Sequence, residues 1–359
     1  MTNLWSPTTL GNLKLPHRLA LAPMTRNRAN ADGTPNNLVP IYYAQRASLG
    51  LLITEGTQPS EDGQGYLLTP GIHSEAQVAA WKKVATAVHA EGGHIFMQLM
   101  HAGRMGHPDN TPHHRDLVAP SAISAGQTMF TPAGPQQTPT PRALSRDEVH
   151  QTIEDFRKAA RNAIEAGLDG VEIHGANGYL INQFLASNAN IRTDEYGGKI
   201  ENRARFAIEV ARAVAEEIGP ERTGIRLSPG LEIGGLNDGP DGEELYRYLV
   251  TELNKLGLAY LHLHHFGNEM LLADLRARWS QKLLVLRYDR PLADIARDIE
   301  GGVADIAPVG RWAIANPDFV ERLKAGASLN EADPSTFYSG GAKGYIDYPT
   351  LQQAESAVA

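Results

Sequence analysis

Short apolar runs recur eight times along the chain, and most are followed by a stretch with helical spacing. They are Leu19–Met24, Leu51–Glu55, Ile95–Gln98, Val171–His174, Thr223–Leu227, Tyr260–Leu263, Leu283–Leu286 and Ile306–Val309. Between Ser74 and Glu91 the residues Val78, Trp81, Val84, Ala85 and Val88 form one apolar stripe. Ser74 with Gln77 is a capping box there, and Gly92-Gly93 end the helix. Ser145 with Glu148 opens a second helix, with Ile153, Phe156, Ala160 and Ile164 inward and Gly167 as its stop. Helices are also expected over Ile200–Ile218, Gly242–Leu256, Pro291–Glu300 and Phe319–Lys324, the last started by Asn316-Pro317. A doubly wound sheet alternates in the same way. Eight units in 359 residues fit a closed (β/α)8 barrel better, so the expected fold class is α/β, a TIM barrel.

One segment breaks the rhythm. Met105–Leu144 carries seven prolines and little periodicity, and it is too long for an ordinary loop. The pattern resumes unchanged after it. The expected organisation is one barrel domain over 1–359, with 105–144 an excursion or small hairpin after strand three, covering the active-site face.

In a barrel of this kind, polar residues at strand C-terminal ends read as active-site residues. Here those ends carry Thr25, Gln98, His174, Arg226 and Arg311. Strand four runs into Val171–Tyr179, VEIHGANGY, where His174, Asn177 and Tyr179 offer three neutral donors around a tight turn. Such a cluster packs poorly and recognises a carbonyl oxygen well. A phenol of pKa about 10 is protonated at neutral pH, so Tyr179 suits a proton donor rather than a base.

Composition narrows the chemistry. With no cysteine, the chain has no disulfide, thiolate metal site or cysteine nucleophile, and redox chemistry needs a borrowed cofactor. A net charge of −8, with acids and bases interspersed, gives no reason to expect nucleic-acid or anionic-membrane binding. No 18-residue apolar stretch and no signal-peptide pattern is present, and the expected location is the cytoplasm.

The run HGANGYL, with Gln183-Phe184-Leu185, Arg192–Gly198 (RTDEYGG) and Glu201-Asn202-Arg203, resembles the Old Yellow Enzyme family of flavin-dependent ene reductases. The resemblance extends from about Leu10 to the closing Gly344–Leu351, essentially the whole chain. It implies FMN as cofactor, NAD(P)H as a transient hydride donor and reduction of the C=C bond of an α,β-unsaturated carbonyl. His174 and Asn177 would then bond the carbonyl oxygen while Tyr179 protonates the α-carbon. Around the cofactor it implies Gly56, with Pro23, Met24 and Thr25 (in Ala22–Arg26, APMTR) and Gln98 against the ring. Arg226 would lie near N1, and Gly310 and Arg311 at the phosphate. An ion pair with Glu172 is the structural alternative for Arg226. Tyr345 would line the substrate pocket. The family includes monomers and larger assemblies, so a homo-oligomer is compatible with it.

Two departures stand out. Met100 occupies the position where the family has a tryptophan, which should change the substrate pose. Leu286-Arg287 replaces two glycines before Tyr288, so that Arg287 either crowds the phosphate or serves as a charged fork for it. If FMN were excluded there, the same donors could serve a non-redox isomerisation, dehydration or cyclisation; a non-catalytic binding barrel is the third reading. His262 and His264 share a strand face, but no third ligand stands out and no metal is expected.

Overall fold

The computed structural model describes residues 2–356. Eight parallel strands form one sheet: β1 (Leu19–Leu21), β2 (Leu51–Ile53), β3 (Ile95–Leu99), β4 (Gly170–His174), β5 (Thr223–Leu227), β6 (Tyr260–His265), β7 (Lys282–Arg287) and β8 (Ala307–Val309). Neighbours follow chain order, β8 returns to β1, and a parallel bridge between Leu284 and Ile306 joins β7 to β8. The sheet thereby closes into a TIM barrel.

Alternate residues of each strand face the interior. Its lower part is apolar, with Ala20, Leu51, Ile53, Phe96, Tyr260, Leu284 and Ile306 packed together. Two inward glycines make room for the aromatics. A Cβ on Gly170 would lie 2.5 Å from the Phe96 ring, and one on Gly224 would lie 2.3 Å from that of Tyr260. An N-terminal antiparallel hairpin, Thr8–Leu10 with Leu13–Leu15, adds Leu10 and Leu15 to the same cluster. Above this plug the inward side chains become polar.

The helices cover the outside. Both capping boxes are present: α2 (Glu75–Ala90) is capped by Ser74 and Gln77, and α3 (Arg146–Glu165) by Ser145 and Glu148. Helix α5 (Ile200–Ile218) and α6 (Gly242–Asn254) complete this half of the ring. Two short helices, α1 (Val39–Ala44) and α4 (Leu180–Leu185), lie where the periodicity predicted none. So does α7 (Glu269–Arg278), which buries Leu271, Leu272 and Leu275 but leaves Met270 exposed.

The continuous helix expected over Pro291–Glu300 is instead a single turn, Leu292–Asp294, followed by α8 (Arg297–Glu300). Arg290 donates to the carbonyl of Ile295, an acceptor that an unbroken helix would have used for its own backbone. After β8 come α9 (Arg311–Ala315) and α10 (Phe319–Ala325). Asn316 does not cap α10. Its side chain bonds Trp312 O and the Asn330 N–H, and Asp318 holds the N-cap position.

The segment 105–144 contains an antiparallel hairpin, Thr128–Thr131 with Gly134–Gln137, and a parallel pair, Val118–Ala119 with Arg142–Ala143. Buried Arg104 ties its base to the strand-five loop, bonding the carbonyls of Ile123, Gly234 and Gly235. Asn110 bridges Gly65 O and Phe130 O, which brings the hairpin to the chain next to Tyr66.

Candidate active site

Strand register builds the site in two polar layers. Glu172 pairs with Gln98 across β4 and β3, while His174, Arg226 and His262 align across β4, β5 and β6. In the lower layer Glu172 is fully buried and accepts hydrogen bonds from Gln98 Nε2 and His262 Nδ1, each 2.8 Å. Burial alone would raise its pKa, but His262, Arg226 and Gln98 together hold it below the usual carboxylate value. An ionised Glu172 accepts only, so Gln98 must turn its amide nitrogen inward and keeps its oxygen for a ligand.

Arg226 in the upper layer is also buried, yet among the described residues it forms no ion pair, and its Nε has no partner. The expected alternative, a direct pair with Glu172, is therefore not formed. A buried guanidinium without a direct ion pair is costly, and this one, near the C-terminal end of β5, is offset by the through-space charge of Glu172 in the layer below.

His174 accepts the Ala176 N–H at Nδ1, 3.3 Å, which leaves its proton on Nε2. Burial, and next the charge of Arg226, keep its pKa well below the ordinary histidine value, so it is a neutral donor. Asn177 has φ +56, the left-handed region that asparagine tolerates better than most residues. Its N–H is held by Ser228 Oγ at 2.9 Å, and its Oδ1 lies 3.0 Å from His264 Nδ1. The Tyr179 ring meets that of His174 edge-on at 4.9 Å, and its hydroxyl is 3.1 Å from that of Tyr66. Burial pushes the pKa of Tyr179 up, keeping the phenol protonated. The three donors predicted from the sequence thus lie together.

A cleft of about 250 Å³ opens at this end of the barrel, lined by Pro23, Met24, His264, Leu286, Gly310 and Arg311 among others, and His264 links it to Asn177. Thr25 is half-buried, and its hydroxyl makes no hydrogen bond among the described residues. Arg311 lies at the far end with a side chain 67% exposed, and its nearest carboxylate, Asp289, is 4.0 Å away. An arginine without an ion pair, a free amide oxygen and a free hydroxyl at or just past the C-terminal ends of β5, β3 and β1, with Arg311 open on the cleft after β8, fit a flavin mononucleotide.

Two expectations change. Arg287 lines the cleft, but its guanidinium is bound by Glu269 (2.5 and 3.0 Å) and Asp298 (2.7 and 3.0 Å). It is neither a crowding group nor a free fork for phosphate, because both carboxylates compete for all its donors. Tyr345 is not in the lining of the cleft. It is 0% exposed, stacked on Tyr42 at 4.3 Å and covered by the guanidinium of Arg28 at 4.4 Å. Met100 and Gly56 are both buried and fill each other's space: a Cβ on Gly56 would lie 2.5 Å from Met100 Sδ. Tyr66 was missed, its only signal being an aromatic in the glycine-rich GQGY loop after strand two. Tyr338 was missed too. It lies close enough to Tyr66 and Tyr179 to raise the pKa of each. Among the described residues no group of three or more His, Cys, Asp or Glu could hold a metal ion.

The barrel and its donor set define a flavin-type oxidoreductase site. The sequence profile of the NADH:flavin oxidoreductase / NADH oxidase family matches residues 3–330, so the chain belongs to that family, the Old Yellow Enzymes. It is 42% identical over 367 residues to 12-oxophytodienoate reductase 1 of Oryza sativa subsp. japonica, covering 98% of this chain and 94% of that protein. A probable flavin mononucleotide-dependent alkene reductase of Leishmania infantum is 41% identical, with 96% of each chain covered. Morphinone reductase solved in complex with tetrahydroNAD superposes with a TM-score of 0.93 at 47% identity, covering 97% of both chains.

Proposed function

We propose that the chain reduces the C=C bond of α,β-unsaturated carbonyl compounds, with His174 and Asn177 binding the carbonyl and Tyr179 giving the proton. The observation that carries this reading is the grouping of three neutral donors after β4 with a buried arginine that has no ion pair, joined through His264 to a cleft lined by Arg311. Bound FMN would supply the hydride chemistry between NAD(P)H and the alkene β-carbon. Thr25, Gln98 and Arg226 would hold its ring, and Gly310 and Arg311 its phosphate.

His174 Nε2–H and the Asn177 amide donate to the substrate oxygen. Two such bonds draw electron density from the alkene and stabilise the oxyanion that develops as the β-carbon is reduced. Tyr179 then protonates the α-carbon, and Tyr66, hydrogen-bonded to it, donates to the phenolate oxygen that the proton leaves behind. Arg226, permanently charged, favours negative charge on a group bound at this end of the barrel. The lack of cysteine accords with a cytoplasmic setting, and no helix among the described residues is long and apolar enough to cross a membrane.

The test is anaerobic and stepwise. NAD(P)H should bleach the visible flavin band of the purified protein, and cyclohexenone should restore it with formation of cyclohexanone. A colourless protein that fails to take up FMN would sink the proposal.

A further inference from the structure

Strand β6 ends in three histidines, and each holds a different group: His262 bonds Glu172, His264 bonds Asn177 and His265 bonds Glu269. The middle one touches the carbonyl-binding residue itself. We infer that His264 is a positioning residue whose Nδ1–H holds Asn177 Oδ1, so that Asn177 can present only its Nδ2–H to the substrate oxygen. This rests on the carbonyl-binding reading of Asn177 given above.

The need for such a residue comes from the shape of a carboxamide. Its two ends are nearly isosteric, and its terminal torsion has two broad wells related by half a turn. Turned one way, Asn177 donates to a substrate oxygen. Turned the other way, it points a carbonyl oxygen at another oxygen and repels it. The backbone cannot make that choice, since Ser228 fixes only the Asn177 N–H. The choice falls to whatever meets the other end of the amide, and that is His264 at 3.0 Å.

The imidazole is itself held in place. It projects from the same strand face as His262, its ring packs on Phe266 at 4.4 Å, and Phe266 stacks on Tyr288 at 5.6 Å. Its far edge borders the cleft, which leaves Nε2 on the open side as an acceptor. Burial, with the charge of Arg226 next, pushes its pKa down to about 2, so it has one N–H to assign. An oxygen acceptor at 3.0 Å keeps that hydrogen on Nδ1.

The experiment uses the FMN-loaded protein and cyclohexanone, a saturated carbonyl probe whose binding is followed by the change in the flavin visible band. His264→Ala should weaken binding about five- to tenfold, the worth of one neutral hydrogen bond. In the Asn177→Ala background the same change should cost nothing more. His264→Asn, whose amide N–H can take the place of Nδ1–H, should recover most of the affinity. A residue that only packs would lower the unfolding temperature without this dependence on Asn177. Equal weakening by His264→Ala in both backgrounds would overturn the inference, as would no weakening at all. Independently, the ring ¹⁵N shifts of His264 should show Nδ1 protonated and Nε2 bare, and the opposite tautomer would overturn it too. If Asn177→Ala alone leaves cyclohexanone affinity unchanged while His264 shows the Nδ1–H tautomer, the fault lies with the carbonyl role of Asn177. The inference falls with it.

Discussion

The hydroxyls of Tyr66 and Tyr179 lie 3.1 Å apart, one from the loop after β2 and the other from the turn after β4. Their rings meet edge-on at 6.2 Å. Burial raises the pKa of both, so neither phenol ionises at neutral pH, and the shared hydrogen bond lowers that of Tyr179 part of the way back. Tyr179→Phe should slow alkene reduction by a factor on the order of 10² to 10⁴, the usual worth of a positioned general acid. Reduction of the flavin by NAD(P)H should be nearly unchanged. Single-turnover stopped-flow absorbance separates the two half-reactions, and equal slowing of both would remove Tyr179 from its role.

Tyr66→Phe tests the supporting bond. Deleting one neutral hydrogen bond costs about 1 kcal/mol, so alkene reduction should slow by about fivefold, far less than for Tyr179→Phe. In the Tyr179→Phe background the second change should have no further effect on the proton step. Additive losses would mean that Tyr66 acts on the substrate directly.

The fully buried Glu172 is the counter-charge beneath the site, bonded by Gln98 and His262 and close to Arg226. Glu172→Leu removes the acceptor for two buried donors and the carboxylate whose charge offsets that of Arg226. Breaking a buried charged set from one side costs about 3–5 kcal/mol. Urea unfolding should show a loss of that size, and one below 1 kcal/mol would mean that water or a rearranged Gln98 replaces the carboxylate.

Most of the barrel was legible because buried parallel strands are short apolar runs and amphipathic helices carry their stripe openly. Helix α7 was not legible because Leu271 and Leu272 are adjacent and exposed Met270 interrupts the stripe. His174, Asn177 and Tyr179 lie within six residues, so one local motif brings them together. Arg287 and Tyr345 were misjudged for the opposite reason. Their partners, Glu269 and Asp298 in one case and Tyr42 and Arg28 in the other, come from other elements of the fold. Pairing at that range follows from the closed barrel, not from spacing. Tyr66 sits in a loop whose residues carry no periodicity at all.

The division of labour between Arg287 and Arg311 makes a clean comparison. Arg287 is saturated by Glu269 and Asp298, and it holds Glu269 down to a pKa of about 2. Arg311 is open to the cleft. Arg311→Ala should lower the preference for FMN over riboflavin by about tenfold or more, the worth of a charge-assisted hydrogen bond to phosphate. Arg287→Ala should leave that preference unchanged while lowering the unfolding temperature, because Asp298 then keeps only Arg290. Fluorescence titration of the stripped protein with both flavins decides it.

Glu55 gives the protein a pH dependence of stability with a definite sign. It follows β2, is buried, and accepts the Arg26 N–H at 3.0 Å, one residue from Thr25. Burial pushes its pKa up to about 7, against the opposing bond and charge of Arg26. The folded state therefore holds this proton more tightly than the unfolded chain, whose carboxyl titrates near its ordinary value of 4.5. Between about pH 4.5 and 7 the unfolded chain has lost the proton while the folded one retains it, so this group's contribution falls as pH rises. The full change is about 3 kcal/mol. Glu55→Gln keeps an acceptor for Arg26 but cannot ionise. The stability of the variant relative to the natural protein should therefore increase from pH 5 to pH 8 by about that amount, read from urea midpoints at each pH. A constant difference across the range would mean that Glu55 is already ionised in the folded protein at pH 5. In that case the Arg26 and Arg28 guanidiniums would outweigh its burial.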